Sequence, residues 1–271
     1  MRRNPRFMIA LVIAAIGFLT YYSSRQKNPI TGESQAIALT PEQEIALGLQ
    51  SAPEMAAQFG GIDPDPQLGE FVTQVGNRVV QNTVASQTPY EYQFHVLADP
   101  QTVNAFALPG GPIFITRGLL MRLQNEAQLA GVLGHEVGHV VGRHSAERIA
   151  KDQLMQSLIG AVGMASDDPQ SAQQMAALVA NMIQMQYGRE DEMQSDSLGV
   201  HLMSDAGYDP RELISVMEIL EEASGGQEQP EFMSTHPNPG NRAAHIEEHI
   251  RQRYPDGVPE NLSKGVSFAP S

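Results

Sequence analysis

Gly134-His135-Glu136-Val137-Gly138-His139 constrains the fold of this chain more than any other stretch. Residues i and i+4 of a helix lie one above the other, so His135 and His139 can offer ring nitrogens to one ion only if the segment is helical. Glu136 falls about 100° further round the same turn. There a carboxylate reaches a water on the ion without being a ligand itself, the position of a general base. The same letters also occur as two histidines on a surface helix. The metal reading therefore requires a third ligand, a group that orients the histidines and a place for a substrate.

With no cysteine in 271 residues, a disulfide framework and a thiolate metal site are both excluded, and any zinc must be held by His, Asp or Glu. Two candidates compete for the third position. His144 lies one residue short of the place where a second helical turn would bring it round, and one residue is about 100° of rotation. Glu192, in Glu192-Met193-Gln194-Ser195-Asp196, is the better candidate: a second helix can supply its carboxylate, and Asp196 four residues on can hydrogen-bond a ligand histidine.

The amino terminus carries Arg2, Arg3 and Arg6, then an uncharged apolar run from Phe7 to Tyr22. This is the pattern of a signal anchor or signal peptide over residues 1–27, with the body exported in either case. No small-x-small cleavage site follows, which favours the anchor. The first 27 residues hold five Lys/Arg and no acid, leaving 12 Lys/Arg against 31 Asp/Glu in the rest, a body of formal charge −19 (12 − 31). Such a body repels nucleic acid, which is set aside as a partner.

Asn28 to Leu39 reads as a polar tether. Thr40-Pro41-Glu42-Gln43 starts a helix to about Phe59, and Asp65-Pro66 starts another. From Tyr90 to Val96 the period changes to that of a half-buried strand. Asn104-Ala105-Phe106-Ala107-Leu108, a turn at Pro109-Gly110-Gly111, and Ile113-Phe114-Ile115 then form a hairpin. That hairpin is either plain sheet core or an exposed edge on which Asn104, Ala105, Phe106 and Ala107 pair with an extended peptide. Asn125, with Gln128 three residues on, caps a helix that should run through His135 and His139 to about Ala150. Gly131, Gly134, Gly138 and Gly142 share a face of it, which implies close packing of another helix or an approach to the metal. Lys151 to Tyr187, rich in Gln, Ala and Met, reads as two amphipathic helices broken at Ser166-Asp167-Asp168-Pro169, either core or mobile lid. Asp209 caps a further helix.

Together, Asn28-Pro29-Ile30-Thr31-Gly32, the Asn104 to Gly111 stretch, the HEVGH turn, Glu192 with Asp196, Gly207-Tyr208-Asp209-Pro210 and His236-Pro237 resemble metallopeptidase family forty-eight, the group of HtpX-like, BepA-like and CAAX-processing membrane metallopeptidases. The resemblance covers roughly Asn28 to Ile250. It implies an α+β fold of the thermolysin-like zincin (gluzincin) type, mostly helical with a small sheet. It further implies one zinc per chain on His135, His139 and Glu192, Glu136 as general base, and substrate pairing along Asn104 to Ala107. As bare sequence, His236 beside a proline reads as structural. The resemblance instead implies a fourth zinc ligand that gates the site, with Arg242 near the reacting carbonyl as oxyanion donor.

This chain has Gly188-Arg189 and Ser195-Asp196 where the family often has Ser-Arg and Ala-Asp. Residues 251–271 form a short tail, too short for the tetratricopeptide domain of the BepA-like branch, and no second apolar run approaches 18 residues. The expectation is a zinc metalloendopeptidase domain over residues 28–250, in the bacterial envelope, acting on extended segments of misfolded or misassembled proteins, with envelope assembly machinery as a candidate partner. The alternative is a zinc-stabilised, chaperone-like assembly factor that grips extended segments without efficient cleavage.

Overall fold

The computed structural model describes residues 5–165, 188–223, 232, 236 and 241–267. They fall into two compact units. The first takes residues 1–40 and 143–188, the second residues 41–142 and 189–271.

In the first unit, helix α1 (Pro5–Ser23) is long and apolar enough to cross a membrane. It leads into a two-stranded antiparallel ribbon, β1 (Arg25–Lys27) and β2 (Ser34–Ala36). The segment expected as a tether, Asn28 to Leu39, thus holds the turn and the second strand of a hairpin. The Asn28 side chain accepts from Ile30 N–H at 2.9 Å and Thr31 N–H at 3.2 Å, Asn28 N–H donates to Glu33 O, and Gly32 takes φ 76°. Three-residue strands of polar residues carry no alternation to read, so the ribbon was invisible in the hydropathy pattern. The helix over His144–Ala165 belongs to the same unit, and Gln35 Nε2 donates to its Glu147 at 3.1 Å.

In the second unit, α2 (Pro41–Gln58) and α3 (Pro66–Gln81) begin where the proline signals place them. Asp65 caps α3 by accepting from Gln67 N–H at 2.9 Å. Three strands follow: β3 (Gln93–Leu97), β4 (Ala105–Ala107) and β5 (Pro112–Thr116), in the order β3-β5-β4. The expected hairpin is the antiparallel β4–β5 pair, with Phe106 opposite Phe114, while β3 runs parallel to β5 on its other side. Strand β5 is central and buried along its length, which leaves β4 at the edge.

After the short helix α4 (Arg117–Leu120) comes α5 (Glu126–Gly142), with fifteen of its seventeen residues buried. A helix apolar on every side belongs in the middle of a core. Asn125 Oδ1 accepts from Gln128 N–H at 3.0 Å, and Gln128 Oε1 accepts from Gln124 N–H at 2.7 Å, closing the expected cap. One continuous helix to Ala150 was expected. Instead α5 ends at Gly142, Arg143 turns left-handed at φ 58°, and α6 (His144–Ala165) starts afresh. The second amphipathic helix expected before Tyr187 lies outside the described residues.

Residues 188–205 form helix α7, followed by α8 (Glu212–Ala223) and α9 (Arg242–Arg253). Residues beyond α9, expected as a tail, bind the start of α5. Val266 O and Lys264 O accept from Glu126 N–H and Ala127 N–H, both at 3.0 Å, satisfying amides that a helix start leaves without partners.

Candidate metal centre

Two helices bring the ligands together because glycines let them approach. A Cβ added at Gly138 would sit 3.1 Å from both Cα and O of Ser195. One added at Gly134 would meet Gly199 O at 3.4 Å, and one at Gly131 would meet Leu213 at 3.2 Å. Three of the four glycines on that face of α5 are therefore explained by packing against α7 and α8. The contact lays the α7 carboxylates beside the α5 histidines.

His135, His139, Glu192 and His236 place one donor atom each within 4.8 Å of one another. His139 Nε2 lies 3.1 Å from His135 Nε2, and Glu192 is 3.3 Å from each of those nitrogens. His236 Nδ1 lies 3.0 Å from Glu192 Oε1 and 3.4 Å from His135 Nε2. A tetrahedral site with bonds of about 2.0–2.1 Å has edges of about 3.3–3.4 Å. Those spacings, and a donor set of three imidazoles and one carboxylate, fit a zinc ion. Among the described residues His144 is not part of this group; α5 ends at Gly142, so His144 starts the next helix and does not follow His139 round the same one.

Behind the ligands lies a buried charge network. His135 Nδ1 is 2.9 Å from Asp196 Oδ1, so the ring donates there and keeps Nε2 for the ion. Arg242, the first residue of α9 and only 2% exposed, grips Asp196 with both prongs: Nε donates at 2.8 Å and Nη2 at 2.6 Å. Its Nη1 lies 3.2 Å from Glu192 Oε2 without an aligned hydrogen bond. Burial pushes the Asp196 carboxyl up, but the Arg242 charge and hydrogen bonds outweigh it and hold the group ionised. Burial likewise pushes Glu192 up, and the charges of His236 and His139 bring it well below the usual range. For His135, burial acts downward while Asp196 and Glu192 raise the imidazole to about 9.

Glu136 differs from its neighbours. It is fully buried, neither oxygen accepts a hydrogen bond among the described residues, and His236 Nε2 lies 3.5 Å away. Burial is the main cause that raises its pKa. A buried carboxylate without partners costs several kcal/mol. A proton-bearing ligand arriving beside it would relieve that cost.

The β4 edge faces the same place. Thr116 N–H donates to Asn104 O and Leu108 N–H to Pro112 O, so by antiparallel alternation Phe106 also pairs with β5. Ala105 and Ala107 therefore turn their backbone groups away from β5, while Asn104 and Phe106 serve the sheet. His236 Nε2 lies 3.3 Å from Ala105 O. One ring thus covers both the ligand cluster and the free edge.

Phe232 was missed by the sequence reading. Its ring stacks on His236 at 4.4 Å, its carbonyl accepts from His236 N–H at 2.7 Å, and its N–H donates to Val103 O at 3.1 Å. An aromatic residue four places before a histidine is a weak signal, and nothing in the hydropathy pattern singles it out.

A sequence model of peptidase family M48 matches residues 66–250. Among curated proteins, the beta-barrel assembly-enhancing protease of Escherichia coli K12 is 29% identical over 269 residues, covering 94% of this chain and 54% of the relative. The mitochondrial metalloendopeptidase OMA1 of Schizosaccharomyces pombe is 30% identical over 255 residues, covering 91% of this chain and 73% of that protein. Its Bos taurus counterpart is 28% identical over 272 residues, with 92% and 51% covered. The chain spans about half the length of the bacterial relatives it matches.

Proposed function

The chain belongs to peptidase family M48, and from that premise we propose that it is a zinc metalloendopeptidase of the bacterial cell envelope, with a thermolysin-like zincin fold, that cuts extended segments of misfolded or misassembled proteins. The observation that carries this reading is a fully buried Glu136, with no hydrogen bond among the described residues, beside three imidazoles and a carboxylate at tetrahedral spacing. The related bacterial protease named for β-barrel assembly supports the envelope assignment and a role near assembly machinery. The apolar α1 supports attachment to a membrane, with the body on the exported side.

His135, His139 and Glu192 would hold one zinc. That ion supplies a Lewis acid, which polarises a carbonyl and lowers the pKa of a water toward about 7. The protein's own groups do the rest. A peptide pairs with the backbone of Ala105 and Ala107 and lies extended across the site. Glu136 takes the proton from the attacking water and returns it to the leaving amine, a role helped by burial that lifts its pKa toward the working range. Asp196 fixes the His135 tautomer, and Arg242 holds Asp196 in place. Nη1, which stands 3.2 Å from Glu192 Oε2 without an aligned hydrogen bond, supports a second part for Arg242, stabilising the oxyanion.

His236 is the resting-state gate of this proposal. Its Nδ1 stands at a ligand position and its Nε2 beside Ala105 O, so both water and peptide require it to leave. His236→Ala should raise basal proteolysis. Unchanged or lower activity in a zinc-loaded variant contradicts the gate.

The test of the reading as a whole is incubation of the full chain with an unfolded protein, with and without chelator. Fragments that vanish with chelator support the peptidase. Tight binding without fragments, from the wild type and His236→Ala alike, supports the assembly-factor alternative.

A further inference from the structure

Helix α6 is two unlike halves. Residues 144–152 carry Glu147, Arg148, Lys151 and Asp152, whereas residues 153–165 carry no charge, and the next in the sequence is Asp167. The uncharged half lies against α1. A Cβ added at Gly17 would meet Ser157 Cβ at 2.7 Å and Leu154 Cδ1 at 3.6 Å, and the small Ala10 and Ala161 are both buried. Tyr21 and Ser24 at the end of α1 share a cavity with Ala150 and Gln153 near the start of α6, so the helices run antiparallel.

The pairing fixes depth. With Ser157 beside Gly17 and about 1.5 Å of rise per residue, Ala165 reaches about 12 Å beyond it toward the start of α1. That falls short of Phe7, where the uncharged part of α1 begins. In the other direction Asp152 lies about 7.5 Å away, level with Tyr21 and Tyr22. Aromatic rings and charges at that level suit the edge of a bilayer. Gln153 and Gln156 stand within about one turn of Asp152, and Ser157 Oγ donates to Gln153 O at 3.0 Å. Beyond that turn the outer surface of α6 is apolar: Val162 and Met164 are each 39% exposed, and Cβ atoms added at Gly160 and Gly163 would meet nothing within 4 Å. On α1, Leu11, Val12 and Leu19 are exposed as well. Close approach through small residues, with larger apolar groups facing outward, is how helices pack in lipid.

We infer that residues 153–165 of α6 enter the same bilayer as α1, so that the chain meets the membrane through a two-helix unit and not through a lone anchor. The inference rests on the reading of α1 as a membrane helix. Its occupant is lipid, because the uncharged half of α6 lies along the apolar length of α1, and Asp152 stands at the end of α1 that leads to Arg25 and Lys27.

The chain has no cysteine, so single-cysteine variants carry a unique label. Val12→Cys, Asp152→Cys, Val162→Cys and Met164→Cys full-length chains would be labelled with an environment-sensitive fluorophore and reconstituted into phosphatidylcholine/phosphatidylglycerol vesicles. The expected result is quenching at 12, 162 and 164 several-fold stronger by spin-labelled lipid than by aqueous iodide, with the reverse at 152. Iodide quenching at 162 and 164 with lipid quenching at 12 overturns the inference and leaves the α1 anchor standing. Iodide quenching at all four positions overturns the anchor reading itself. Disulfide-linked dimers of Val162→Cys, shielded from both quenchers, overturn the inference by placing a second copy on that surface.

Discussion

Asp196 receives the His135 Nδ1–H on one oxygen and the fork of Arg242 on both, with no exposure to solvent. Asp196→Asn keeps the shape but loses the charge that both partners need. Zinc affinity, measured by competition with a chromogenic chelator, should fall by about 10- to 100-fold; an unchanged affinity would show that His135 needs no such support. The histidine pair and Glu136 were legible in the sequence because a helix places i and i+4 by local geometry alone. Glu192 and Asp196 were legible as a spacing whose meaning depended on the histidines. That Arg242 serves Asp196 was not legible, since the pair joins residues 46 apart through a tertiary contact that no local rule dictates.

At the scale of elements, the site depends on how closely α7 approaches α5. Gly138→Val would drive a branched side chain into the Ser195 backbone, which lies 3.1 Å from the first added carbon and cannot rotate away. Overpacking of this kind costs about 1–3 kcal/mol and should appear as a lower Tm; a stability equal to wild type would mean that α7 is free to shift. The C-terminal segment makes a second junction at the other end of α5. Glu212 of α8 accepts from Asn125 at 2.8 Å and Gln128 at 3.0 Å, and pairs with Lys264 at 2.6 Å. Burial pushes its carboxyl up, but the hydrogen bonds from Lys264, Asn125 and Gln128 prevail and hold it below its usual 4.5. A depressed carboxylate stabilises the fold above its unfolded pKa, and that contribution is lost as pH falls through the folded value. Glu212→Gln should therefore narrow its stability gap to wild type between about pH 6 and pH 3, as measured by thermal unfolding across that range. A constant gap would show that the ionised form contributes nothing. The helix starts at Pro41, Pro66 and Asn125 were readable from caps. The β1–β2 ribbon and the break at Arg143 were not, because polar three-residue strands have no period and an arginine at φ 58° is not announced by its type.

For the molecule as a whole, charge and hydropathy divide the labour along the chain. The basic amino terminus and α1 suit a membrane, while the remainder has a formal charge of −19 (12 − 31) and brings its ligands from α5, α7 and the residues before α9. Every described member of the ligand cluster belongs to the second unit, so the chemistry proposed for it needs no group from the first. The individual helices and the hairpin were legible from periodicity, and the α+β class with a small sheet was implied by the family resemblance. Which strand lay between the others was not legible, because β3 and β5 pair in parallel and no hairpin turn links them directly. The most direct test of the account is zinc content and proteolysis measured together on full-length wild type and Glu136→Gln. The account predicts that both bind about one zinc per chain, that wild type cuts an unfolded protein in a chelator-sensitive way, and that Glu136→Gln cuts it slower by about 100-fold or more. Cleavage by Glu136→Gln at the wild-type rate, with zinc still bound, would contradict it.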